Sequence, residues 1–185
     1  MVTQNNNMPS LIFTNDRLIG EEVVKTSRYI GDLCGIFKEE KIRAAIPSDT
    51  LVYEVYSHLP VEEGSSGSLY FGLTRLFPGK VGQEYYMTKG HFHAEENTAE
   101  YYWGVKGEGI LVLMDPRRHI RTERMFPGSL HYIPGGVAHR VANTGTEVLT
   151  FAACWPSNAG HDYEKIRLHG FSARVMDVNG IPQLI

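Results

Sequence analysis

The segment TKGHFHAEENTAEYYWGVKGEGILVLM, residues 88–114, decides how the rest of the chain is read. A strand sends alternate side chains to opposite faces, so His91 and His93 point one way while Phe92 packs the other way. Glu100 opens a second extended run, Ala99 to Val105. The turn Lys106-Gly107-Glu108-Gly109 folds it back onto Ile110 to Met114. The same grammar extends upstream. Leu51 to Tyr56 and Leu69 to Phe77 read as strands separated by Gly64-Ser65-Ser66-Gly67, and Pro78-Gly79-Lys80 precedes a strand from Glu84 to Thr88. Downstream, Arg121 to Arg124, Leu130 to Ile133 and Val148 to Trp155 continue it. Many short strands with regular turns predict an all-β sandwich or barrel.

The ends read differently. Residues 1–10 are polar and Asn-rich, Leu11 to Phe13 forms a short strand, and Asn15-Asp16 turns. Residues 22–47 read as irregular connections with a short helix from Lys38 to Ala45. The tail offers a helical turn, Asp162 to Leu168, and a strand, Ala173 to Val178. The economical description is a single domain over 1–185: an arm (1–50), a barrel (about 51–155) and a C-terminal segment (156–185).

With 42% hydrophobic and 21% charged residues the composition is that of an ordinary globular domain, and a net charge of -3 leaves no footprint for nucleic acid. No apolar run approaches the roughly 20 residues needed to span a bilayer, and the N-terminus lacks signal-peptide character. Cys34 and Cys154 show no metal-ligand spacing and read as reduced, buried thiols, which points to the cytoplasm.

His91, His93, Glu100 and His139, which follows the turn Pro134-Gly135-Gly136, offer three imidazoles and one carboxylate. Such a set suits one divalent first-row metal and leaves coordination positions open for substrate. Fe²⁺ is the first expectation, with Mn²⁺, Ni²⁺ or Zn²⁺ as alternatives. His58, His119, His131 and His169 read as surface or packing residues. Tyr85, Tyr86, Tyr101 and Trp103 read as core, Lys89 as a solvated neighbour, and Tyr102, two residues from Glu100, as facing the site.

Two blocks carry a family resemblance. His91-x-His93 followed by Glu100 and Gly107 resembles the first cupin motif. Gly128 through Pro134, Gly136, His139 and Asn143 resembles the second. Val52-Tyr53-Glu54-Val55-Tyr56, Pro78-Gly79-Lys80-Val81-Gly82, Thr88 to His93, Ala138-His139-Arg140 and Ala159-Gly160-His161-Asp162-Tyr163 narrow it to the cupin-type glucose-6-phosphate isomerases. The resemblance implies a jelly-roll barrel, a homodimer, no membrane partner, and interconversion of glucose 6-phosphate and fructose 6-phosphate in the cytoplasm. It implies the metal ligands His91, His93, Glu100 and His139, and matches Tyr53, Thr74, Thr88, Gly90, Tyr102 and Tyr163 to the wall of the sugar-phosphate pocket. Two stretches depart from it. Gly135-Gly136-Val137 replaces bulkier residues, and Trp155 stands in the pocket wall where a Tyr is common.

The residues leave the chemistry open. Glu100 acts as base in an enediol route and only completes the metal site in a hydride-shift route. Tyr102 and His161 are the other catalytic candidates, with His161 assisting ring opening. A metal-dependent oxygenase and a non-catalytic sugar-phosphate-binding cupin are the competing functions.

Overall fold

The computed structural model describes residues 8–14 and 16–185, and the leader read over 1–10 therefore lies mostly outside the described residues, as does Asn15 of the predicted turn. In chain order the strands are β1 (Leu11–Thr14), β2 (Arg17–Gly20), β3 (Val23–Tyr29), β4 (Leu51–His58), β5 (Leu69–Leu76), β6 (Lys80–Val81), β7 (Glu84–Tyr85) and β8 (Glu100–Lys106). They continue with β9 (Gly109–Met114), β10 (Ile120–Met125), β11 (Leu130–Ile133), β12 (Ala138–Asn143), β13 (Leu149–Pro156), β14 (Val175–Val178) and β15 (Ile181–Leu184). Two short α-helices, α1 (Glu40–Ala45) and α2 (Glu164–His169), complete the elements used below.

The all-β class holds. A six-stranded antiparallel sheet, β11-β8-β13-β5-β4-β3, and a three-stranded sheet, β10-β9-β12, supply most of the core. Register dictates which side chains go inside. Val55 stands opposite Thr74 and Thr74 opposite Phe151, while Gly72 stands opposite Ala153 and Ala153 opposite Tyr102, so two rows of inward residues cross the six-stranded sheet. The facing sheet contributes Leu111 and Leu113, paired with Val141 and His139. Leu111, Leu113, Ile133, Leu149 and Phe151 are almost wholly buried, and each such side chain contributes about 2–3 kcal/mol of apolar burial. On the opposite face, Tyr56, Leu73 and Ala152 pack against Leu18 of the β1–β2 hairpin and form a second, smaller core.

Four readings change. Residues 22–47 were expected to be mostly irregular, yet Val23–Tyr29 pairs along its length with β4. Lys25, Thr26, Ser27 and Arg28 are polar because β3 is an edge strand, and the apolar signal of a strand is lost there. The predicted strand from Glu84 to Thr88 shrinks to two residues, because Tyr86 onwards bridges to β12 by single contacts (Met87 with Ala142, His91 with His139) rather than by a ladder. Tyr101 and Trp103 are not core. β8 alternates strictly, burying Glu100, Tyr102 and Gly104 and leaving those two rings about half exposed. Cys34 is exposed, with its thiol on a Glu40 carboxylate oxygen at 3.3 Å, while Cys154 is half-buried.

Candidate metal centre

His91, His93, Glu100 and His139 come together from three separate pieces of chain, with one ligand atom from each lying within 4.8 Å of all the others. The segment carrying His91 is tied to β12 by a reciprocal pair of backbone bonds: His91 N–H donates to His139 O at 3.3 Å, and His139 N–H donates to His91 O at 3.1 Å. Only glycine fits just before it. Gly90 has φ +76°, and a Cβ there would lie 2.8 Å from the Phe171 ring and 3.1 Å from the His139 carbonyl oxygen.

Two of the imidazoles are oriented by carbonyls. His93 Nδ1 lies 2.9 Å from Thr98 O, and His139 Nδ1 lies 3.1 Å from Val137 O. A carbonyl only accepts, so both rings carry their proton on Nδ1 and turn the Nε2 lone pair inward. Those nitrogens meet Glu100 Oε1 at 3.3 Å and 2.5 Å. Glu100 Oε1 and His139 Nε2 nevertheless have no aligned hydrogen-bond partner although both are buried. Lone pairs converging on one point in a dry site are what a cation requires, so this donor set fits a divalent metal.

The electrostatics agree. Burial alone would raise the Glu100 carboxyl, but the neighbouring His139 and His93 outweigh it and hold the carboxyl at about 2. Burial, reinforced by the adjacent imidazoles, pushes His91 well below the usual histidine range. For His93 burial is opposed by its bond to Glu100, and the net shift is upward. His161 and Tyr163 arrive from the C-terminal segment and stack nearly parallel, 5.7 Å apart and 6° between planes, with His161 edge-on to His91 at 4.4 Å. Burial lowers His161, so its imidazole is neutral at pH 7. Burial also raises Tyr102 well above the ordinary phenol value, and the ring stands edge-on to His139 at 5.6 Å.

His91, Glu100, Tyr102, His139, His161 and Tyr163 line one cavity of about 230 Å³. Every substrate-pocket position read from the sequence borders it: Tyr53, Thr74, Thr88, Gly90, Tyr102, Trp155, and Tyr163. Trp155 fits because residue 72 is glycine; a Cβ there would lie 3.0 Å from the far edge of the indole. Gly135 is dictated by the neighbouring loop, since a Cβ would meet the Glu96 carbonyl at 2.5 Å. The sequence reading missed Arg28 and Thr26, which reach the cavity from β3, and set aside Lys89, which also lines it. Alternation along Lys25 to Arg28 was the available signal, but it registers only once β3 is recognised as a strand. The other histidines have structural partners. His131 is held between Glu123 Oε2 at 2.6 Å and Ser129 Oγ at 2.9 Å, and His119 bonds Asp115.

Comparison with known proteins adds the family. The family described as Glucose-6-phosphate isomerase (GPI) matches residues 19–183, nearly the whole chain. The chain belongs to the glucose-6-phosphate isomerase family. The chain is 43% identical to the glucose-6-phosphate isomerase of Thermococcus kodakarensis over 84% of its own length and 82% of the relative's. It is 42% identical to that of Pyrococcus horikoshii over 86% and 85%. A putative glucose-6-phosphate isomerase 1 of Rhizobium meliloti is 37% identical over 79% and 69%. Among solved structures, oxalate decarboxylase of Bacillus subtilis is similar over 60% of this chain and 26% of that one, at 22% identity and a TM-score of 0.46. The chain is thus an enzyme of the glucose-6-phosphate isomerase family with an all-β fold. No helix among the described residues is long and apolar enough to cross a membrane.

Proposed function

We propose that the protein interconverts glucose 6-phosphate and fructose 6-phosphate in this cavity, with one divalent metal held by His91, His93, Glu100 and His139. The observation that carries the reading is the convergence of four ligand atoms beside a cavity whose walls are otherwise rich in hydroxyls. A divalent metal there, Fe²⁺ first among Mn²⁺, Ni²⁺ and Zn²⁺, would supply Lewis-acid polarisation of the sugar carbonyl.

The side chains favour the hydride-shift route over the enediol route. A carboxyl held at about 2 is a weak base, so Glu100 is poorly suited to take a proton from carbon. In the hydride route hydrogen moves from C2 to C1 with its electron pair, one proton leaves the C2 hydroxyl and one is gained at the C1 oxygen. His161, neutral and beside the ligand cluster, serves as acceptor for the hydroxyl proton. Tyr102 keeps its proton at all ordinary pH values and serves as a hydrogen-bond donor to the sugar oxygen that gains charge.

Nuclear magnetic resonance of glucose 6-phosphate under strictly anaerobic conditions, with and without added metal, tests this. Metal-dependent ketose formation is the expected result. Turnover that needs O₂ would replace the reading with an oxygenase, and binding without conversion would leave a sugar-phosphate-binding protein. Solvent deuterium distinguishes the routes: a hydride shift leaves the product carbon unlabelled.

A further inference from the structure

We infer that Arg140 is a positioning residue: its buried guanidinium clasps the segment that delivers His91 to the metal site, through the Met87 sulfur at one end and the Phe171 ring at the other. As a role in turnover it rests on the isomerase reading. Residues 86–93 need such support. They lie outside the strand ladders and are held by single bridges, Met87 with Ala142, His91 with His139 and Phe92 with Asp162.

Arg140 follows His139 on β12, so alternation sends its side chain to the face away from that ligand. There the residue is 5% exposed, and its guanidinium carbon lies 3.8 Å from the centre of the Phe171 ring. Nη1 donates to the Met87 sulfur at 2.8 Å, and Nε has no partner among the described residues. Glu84, the carboxylate whose charge reaches it, is already taken by Arg174 Nη1 at 2.7 Å and by the Lys38 N–H at 2.8 Å. A buried cation without a carboxylate of its own is costly, and an apolar side chain in its place would remove that cost. Ion pairing therefore does not account for an arginine here. Both of its contacts lead to the ligand-bearing segment.

Gly90 is where they meet. A Cβ there would lie 2.8 Å from the Phe171 ring, 3.0 Å from Arg140 Cβ and 3.1 Å from the His139 carbonyl oxygen, so the turn before His91 rests directly on this platform. A guanidinium stacked on an aromatic face in a dry interior fixes the ring, and a thioether is a weak acceptor for its spare N–H. Met87 and Gly90 flank Thr88 and Lys89, so the clasp grips the segment on both sides of that pair. Removing the guanidinium would free the Phe171 ring and let the Gly90 turn shift. The His91 imidazole would then leave the point where the ligand atoms converge.

The test uses full-length protein with Mn²⁺ as probe, its affinity measured by calorimetry and its environment by electron paramagnetic resonance. Arg140→Met is expected to weaken Mn²⁺ binding about tenfold and to change the spectrum, within the usual range for groups that orient a metal ligand. Its thermal midpoint should stay the same or rise, because a buried charge has gone. At saturating Mn²⁺, kcat with glucose 6-phosphate should fall about tenfold while KM stays within about twofold. Phe171→Leu should give a similar loss of affinity, and the double variant should lose no more than either single one, to within about twofold. Arg140→Lys keeps the charge without the flat face and should not restore binding. Unchanged Mn²⁺ affinity in folded Arg140→Met, even with a lowered thermal midpoint, overturns the inference although the wild type may be an active isomerase. Full recovery in Arg140→Lys, or losses that multiply in the double variant, overturns the stacked clasp. Weakened Mn²⁺ affinity in Arg140→Met without any wild-type isomerisation supports the clasp and overturns the isomerase reading alone. Should Arg140→Met misfold, unchanged affinity in both Phe171→Leu and Arg140→Lys overturns the inference instead.

Discussion

The two faces of the six-stranded sheet use similar residues to opposite ends. On strand β8, Tyr102 points inward and is buried against His139 and Phe151, whereas Tyr101 and Trp103 point outward and pair with Tyr132 and Leu130 on β11. The inner row converges on a water-poor cavity, where desolvation pushes Tyr102 up and His161 down and leaves Glu100 dependent on its imidazole neighbours. The outer row is partly covered by the β1–β2 hairpin, and elsewhere its aromatic side chains stay half in solvent. One strand therefore carries chemistry on one side and packing on the other.

The strongest way to break this contrast is to remove an inward ligand. His139→Ala should lower metal affinity by more than about a hundredfold and abolish turnover, yet leave the strand ladder, and hence the far-UV spectrum, intact. Full metal content in the purified variant would remove His139 from the ligand set. Next, Tyr102→Phe should slow turnover about a hundredfold with metal content unchanged, the usual scale for losing one positioned acid or donor. Its outward counterpart, Trp103→Ser, should leave turnover within about twofold, since exposed substitutions rarely exceed about 0.5 kcal/mol. Equal losses in both variants would erase the distinction between the faces.

A third test sharpens the electrostatic side. His93 has its affinity for protons raised by Glu100, so acidification makes a proton compete with the metal at His93 before an ordinary histidine would titrate. The sign follows from the direction of the shift. Apparent metal affinity should be highest at high pH and should begin to weaken on the alkaline side of about 6.5 as pH falls. An apparent affinity that stays constant from about pH 8 to about pH 5 would remove His93 from the ligand set. The smallest effect is expected at the pocket wall. Gly72→Ala should press on the Trp155 indole, shift its fluorescence and change KM by about threefold, because a contact near 3.0 Å requires the ring to move only slightly. An unaltered emission spectrum would show that the indole does not occupy the notch.

Much of the site was legible because its chemistry is written in short-range spacing. His91 and His93 lie two apart, Glu100 opens a strand, and His139 follows a glycine turn. The fold class was legible for the same reason: turns punctuate runs of β-branched and aromatic residues from Leu51 onward. What escaped was whatever depends on neighbours distant in sequence. Val23–Tyr29 looks irregular because an edge strand facing solvent and a polar cavity carries little apolar signal. Lys89 looks like a solvated residue until the C-terminal Tyr163 is brought beneath its ammonium.

The sequence by itself determined the donor types, the alternating strand that carries Glu100 and the glycines that let the chain turn beside the donors, because each is a property of a few adjacent residues. Tertiary structure alone decided that four ligand atoms meet at one buried point, that the Thr98 and Val137 carbonyls turn two imidazoles toward it, and that Arg28 and Lys89 share a cavity. The reason is physical. Convergence and desolvation arise only when segments far apart in the chain pack together and exclude water between them.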